Sequence, residues 1–140
     1  MQRNFPESEK SFASFASLVE EICNGLTYMS ETDAPITVFQ GNTPVGLSAA
    51  SIAEMAGIES TPFEEVSVEE FFSRLTTEKD WWGTREKDIA KRFARLQDVL
   101  EEYLRDIKVF RFGRIQIEIF IVGTSPEGLI AGVRTHAVET

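Results

Sequence analysis

Apolar residues recur at steps of three and four in two long stretches of the chain. Over residues 8–26 they are Phe12, Phe15, Val19, Ile22 and Leu26, which share one face of a helix, with Gly25 near its end as a stop. Over residues 85–105 they are Ile89, Phe93, Leu96, Leu100 and Tyr103, at the spacing of a helix. Two shorter helices are marked by their ends. Ser48 is a candidate N-cap for a helix that stops at Gly57. Ser67 and Glu70 make a capping-box pattern ahead of Phe71 and Phe72, for a helix over 68–75.

Elsewhere the period is two. Residues 36–40 and 62–66 read as short strands, and 108–112, 115–122 and 129–138 as three more. In the second of these three, Ile115, Ile117, Ile119 and Ile121 share one face, and Gln116, Glu118, Phe120 and Val122 share the other. Both faces are partly apolar, which predicts a central strand. Arg111 to Arg114 and Ser125 to Gly128 have the length and composition of hairpin connections, so the C-terminal third is expected to be an antiparallel meander. Residues 27–34 and 76–84 are expected to be polar loops. Four helices over such a sheet make the class α+β, a layered sandwich. A chain of 140 residues is expected to hold one domain, residues 1–140, with 1–8 as an extension.

Charge narrows the partners. Fourteen Lys and Arg face 23 Asp and Glu, a net charge of −9. Direct binding of nucleic acid or anionic lipid needs a basic surface, so neither is expected. The excess is uneven: residues 1–80 carry 4 basic and 14 acidic side chains, and residues 81–140 carry 10 and 9. One surface is therefore expected to hold most of the negative potential, either for solubility or to steer toward a basic partner. A single Cys excludes an intrachain disulfide framework. No apolar run approaches the roughly 20 residues of a membrane helix, and the N-terminus carries no apolar signal segment. A soluble cytoplasmic protein is the expectation.

Enzyme chemistry is sparsely supplied. His136 and Cys23 are single, too few for a His/Cys metal site, and no GxGxxG, P-loop, GxSxG or HExxH occurs. His136 reads as an ordinary strand residue and Cys23 as a small packing residue. Glu64-Glu65, Glu69-Glu70 and Glu101-Glu102 read as solvated faces. No catalytic residue and no cofactor of its own are expected.

Two features suggest binding instead. Asp80-Trp81-Trp82-Gly83 places adjacent indoles in a polar loop. Either one Trp is core and the other half-covered, or one is an exposed anchor with an acidic neighbour. The second feature is the end of the sequence, Val138-Glu139-Thr140, directly after a strand. It either frays or presents an ordered α-carboxylate, a hard oxygen ligand suited to a partner's Mg²⁺.

Four stretches together resemble the nuclease A inhibitor family: Asn24 to Glu31, Phe71 to Thr77 with Asp80-Trp81, Val109 to Gly113, and Val122 to Gly128 followed by Val138-Glu139-Thr140. The resemblance runs from about residue 9 to the end and is weak between Gln40 and Thr61. It implies a three-layer α/β/α sandwich similar to plant pathogenesis-related (PR-1) proteins. It implies inhibition of a DNA/RNA-non-specific ββα-metal endonuclease by plugging its active site, with no direct contact to nucleic acid. By motif match, the Thr140 carboxylate would coordinate the nuclease's Mg²⁺, Glu31 would contact the active site, and Asp80 and Trp81 would supply interface contacts. Trp82 is not part of the resemblance. Nothing in the sequence calls for a dimer, and a free monomer is expected.

Two other readings stand beside this one. The inhibitor reading expects Glu31, Asp80, Trp81 and Thr140 clustered on one convex, exposed surface. An acidic interaction module of the same fold would bind another basic partner through a broad acidic face and leave Thr140 elsewhere or disordered. An enzyme would require carboxylates such as Glu31 and Asp80 to converge in a pocket with a raised pKa.

Overall fold

The strands of the C-terminal third pair as their alternation predicts. The computed structural model of the chain describes residues 11–42, 44–58 and 62–140; the extension expected at 1–8 lies outside them. Strands β5 (Arg105–Phe112), β6 (Gln116–Thr124) and β7 (Ile130–Val138) form an antiparallel meander. The short strands β3 (Thr37–Gln40) and β4 (Phe63–Val66) close its two edges, giving the order β3-β7-β6-β5-β4. β6 is the central strand. Gly113 turns the first hairpin at φ +111°, where a Cβ would collide with the Gln116 carbonyl. The second hairpin closes through Gly128 N–H donating to the Ser125 carbonyl at 2.9 Å.

Both faces of the sheet are buried, for the reason visible in β6. Ile117, Ile119 and Ile121 face the larger core, shared with helices α1 (Phe12–Cys23), α3 (Val68–Thr76) and α4 (Thr84–Tyr103). Phe120 and Val122 face a smaller core, closed by Ile52 of α2 (Ala49–Ala56). Ile115 departs from the expected pattern. The strand begins at Gln116, so Ile115 lies in the turn and is exposed. Alternation continues through a turn and cannot mark where pairing starts.

The helix ends follow their capping residues. Ser48 Oγ accepts from Ser51 N–H at 3.1 Å, and α2 stops at Gly57 in the left-handed conformation, φ +69°. Ser67 Oγ accepts from Glu70 N–H at 3.1 Å at the start of α3. Glu86 accepts from Gly83 N–H at 3.0 Å at the start of α4. α1 covers only Phe12–Cys23 of the expected 8–26, and residues 8–10 lie outside the described residues. Leu26 is past the helix but still buried. The end of α1 is satisfied from another helix: Arg92 of α4 donates to the carbonyls of Ile22, at 2.6 Å, and Asn24. A guanidinium there meets the negative end of the helix dipole. Arg92→Met should lower stability by about 1–2 kcal/mol, read as a lower urea midpoint with an unchanged slope. An unchanged midpoint would mean that water caps α1 equally well.

Cys23 is buried in the larger core, and burial pushes its thiol up to about 11. It is a packing residue at neutral pH. His136 is exposed on β7, and the carboxylate pairs at 64–65, 69–70 and 101–102 are all exposed.

Candidate functional site

The loop expected over 27–34 is instead a small hairpin. β1 (Thr27–Met29) pairs antiparallel with β2 (Asp33–Pro35) across the connection Ser30-Glu31-Thr32. Tyr28 points inward and stacks on Phe71 of α3, with ring centroids 5.7 Å apart, while Met29 points out. Each strand has three residues, too few for a period, and the segment's polarity hides the pairing.

The hairpin is stitched along the final stretch of β7. Thr135 Oγ1 donates to the Pro35 carbonyl at 3.0 Å. Val138 N–H donates to Ser30 Oγ at 3.0 Å, and Glu31 N–H donates to the Val138 carbonyl at 3.1 Å. β3 pairs with β7 over Ala131–Arg134, so the hairpin takes over that edge of β7 where β3 leaves it.

Beyond Val138 two further contacts fix the chain. Glu139 N–H donates to the Ile115 carbonyl at 2.8 Å, and its carboxylate pairs with Arg111 at 2.6 Å. Thr140 then donates its N–H to Glu31 Oε2 and its hydroxyl to Glu31 Oε1 and Oε2 at 2.8 and 3.0 Å. Both donors of Thr140 are thus spent on one exposed carboxylate. None of the hydrogen bonds or ion pairs among the described residues engages the Thr140 carboxylate. Met29 and Ile115, both exposed, lie on the two segments that frame this seat.

The bonds from Thr140, backbone N–H first, hold the Glu31 carboxyl below its ordinary value of 4.5. The sign follows from which form accepts them. Ionised Glu31 binds both donors, so the seat is at full strength above pH 4.5 and weakens as pH falls through the lowered pKa. A carboxyl ¹³C titration of Glu31 should give a midpoint below 4.5, with the Thr140 amide shift following the same curve. A midpoint at or above 4.5 would mean that the two residues do not pair in solution. The shift is opposite in direction to what an acid/base pair in a pocket requires.

Asp80 and Trp81 occupy a different connection, between α3 and α4. Asp80 is exposed, and Trp81 is 79% exposed. Trp82 is half-buried; its N–H donates to the Lys79 carbonyl at 3.0 Å and its ring meets Trp81 edge-on, with centroids 6.2 Å apart. Neither indole belongs to the core, so the reading with one Trp inside is corrected. The expected residues therefore divide into two groups. Glu31 and Thr140 are bonded to each other, and Asp80 and Trp81 are adjacent on a surface loop. No group of three His, Cys, Asp or Glu among the described residues could hold a metal ion, and no described helix is long and apolar enough to cross a membrane.

Fold and surface define an acidic α+β protein whose distinctive groups face outward. Its sequence matches the nuclease A inhibitor-like protein family (NuiA) over residues 13–140, nearly the whole chain, and the protein belongs to that family. No curated protein matches the chain in sequence. Membership supports a role of the nuclease-inhibitor type, with a nuclease as the partner.

Proposed function

We propose that the protein inhibits a DNA/RNA-non-specific ββα-metal endonuclease by capping its catalytic Mg²⁺ with the Thr140 α-carboxylate. The metal expects a phosphate oxygen, and a carboxylate is a hard oxygen donor that can take the same position. Glu31 stands in for a neighbouring phosphate charge and meets a basic group of the nuclease. Asp80 adds a second charge and Trp81 adds buried area at the rim. The observation that carries the reading is the seating of Thr140: both of its donors are bound to Glu31, while its carboxylate makes no hydrogen bond or ion pair among the described residues. An end held in place enters a metal site at a smaller entropic cost than a frayed one.

The remaining parts of the reading follow from the same picture. The layer of α1, α3 and α4, the sheet, and α2 correspond to the three layers of a PR-1-like sandwich. The protein acts as a monomer in the cytoplasm, needs no cofactor of its own, carries out no catalysis and contacts no nucleic acid directly. Its net charge of −9 speeds encounter with a basic active-site face. The test is inhibition of a purified non-specific ββα-metal endonuclease in Mg²⁺ by the full chain. Stoichiometric loss of nuclease activity is expected. Full activity at a large excess of the protein would overturn the reading and favour another basic partner.

A further inference from the structure

The hydroxyl of Ser30 joins the hairpin to the end of β7. It accepts from Val138 N–H at 3.0 Å and, within its own turn, from Thr32 N–H at 3.3 Å while donating to the Thr32 carbonyl at 3.2 Å. The adjacent Glu31 N–H holds the Val138 carbonyl. Both peptide groups of Val138 are thus fixed by consecutive residues of one short turn. Val138 is also the last residue of β7, two before Thr140.

We propose that Ser30 is a positioning residue for the Thr140 end: its hydroxyl sets the register of hairpin against β7, and so the level at which Glu31 meets Thr140. The functional consequence rests on the inhibitor reading given above. Strands of three residues carry little register information of their own. Side-chain bonds to β7 supply what the ladder does not. Without Oγ, the half-buried Val138 N–H loses its acceptor, and the Ser30-Glu31-Thr32 turn is held only by Ser30 N–H donating to the Thr32 carbonyl at 2.9 Å. The fraction of molecules with Thr140 seated on Glu31 falls, and apparent affinity falls in the same proportion.

The test compares Ser30→Ala and Ser30→Thr with the unaltered full chain by three readouts. Backbone ¹⁵N order parameters report the Thr140 end without any nuclease, inhibition constants are taken against a Mg²⁺-loaded non-specific endonuclease, and melting temperature reports the fold. For Ser30→Ala, the Thr140 order parameter should drop toward the flexible range, below about 0.6. Inhibition should weaken about tenfold, with melting little changed. Ser30→Thr, which keeps the hydroxyl, should restore both. Unchanged order at Val138 and Thr140 in Ser30→Ala would overturn the proposal. So would unchanged inhibition, or a loss of inhibition that merely tracks a collapse in melting temperature. If the unaltered chain does not inhibit, the nuclease reading fails, and the order parameters alone decide whether Ser30 positions Thr140.

Discussion

A chain lacking Thr140 should lose inhibition by on the order of 30- to 5,000-fold, the equivalent of about 2–5 kcal/mol for removing one partner of a desolvated charge contact. The fold should survive, because Thr140 is exposed and lies beyond β7. The deletion moves the α-carboxylate to Glu139, whose backbone N–H is held by Ile115 and whose side chain is held by Arg111. The new carboxylate cannot reach the position of the old one without breaking those contacts. Glu31 meanwhile loses both of its donors and becomes an unpaired surface carboxylate. Thr140→Ser separates these effects, since it keeps the hydroxyl and the carboxylate and should retain most of the inhibition. Amidation of the end keeps every contact to Glu31 and removes the charge together with one of the two oxygen donors, so it should be nearly as damaging as deletion. If the amidated protein inhibits fully, the metal-capping role is wrong. Inhibition retained after the deletion as well would move the mechanism to Glu31, Asp80 and Trp81.

Glu31 has two tasks in this scheme, and they do not compete for the same lone pairs. A carboxylate offers about four acceptor positions. Thr140 uses its N–H and hydroxyl, and the group remains exposed, so a guanidinium or metal-bound water can still approach it. The same residue orients the end and contributes charge beside it. Glu31→Ala therefore removes both functions, while Glu31→Gln keeps an acceptor for Thr140 and loses the charge.

The sheet and helices were legible because their elements are long enough to show a period. β6 reveals its central place through two apolar faces, and α3 and α4 reveal theirs through capping and heptad-like spacing. The hairpin at 27–35 is hidden, since its two strands draw their order from β7, 100 to 108 residues away in sequence. Glu31 and Thr140 were each marked by the resemblance, yet as separate contacts to a partner. No local signal announces that residues 109 apart will bond to each other. Ser30 carries no signal for the same reason: a serine in a polar turn is unremarkable until the fold brings Val138 N–H to its hydroxyl. At Trp81 composition raised the right question, and only the path of the α3–α4 connection answers it.

Trp81→Ala should raise the dissociation rate from the nuclease about 30-fold or more, the effect of truncating an aromatic anchor worth roughly 2 kcal/mol. The association rate should change little, because charge and its long-range field govern encounter and the substitution alters no charge. Stability should also be unaffected, since the side chain is 79% exposed and is not part of either core. Trp82 supplies the control. It is half-buried and meets Trp81 edge-on, so Trp82→Ala removes a support for the anchor ring and should have a smaller effect on dissociation. Asp80→Asn should behave in the complementary way, slowing association at low salt and converging on the unaltered protein as salt rises. An unchanged dissociation rate for Trp81→Ala would make the indole a bystander and confine the interface to the hairpin and the end of β7. A rate raised in Trp81→Ala and restored in part by Trp81→Phe would place the α3–α4 connection inside the interface. The inhibitor would then grip the enzyme at two points, one ionic and one apolar, set on separate elements of the fold.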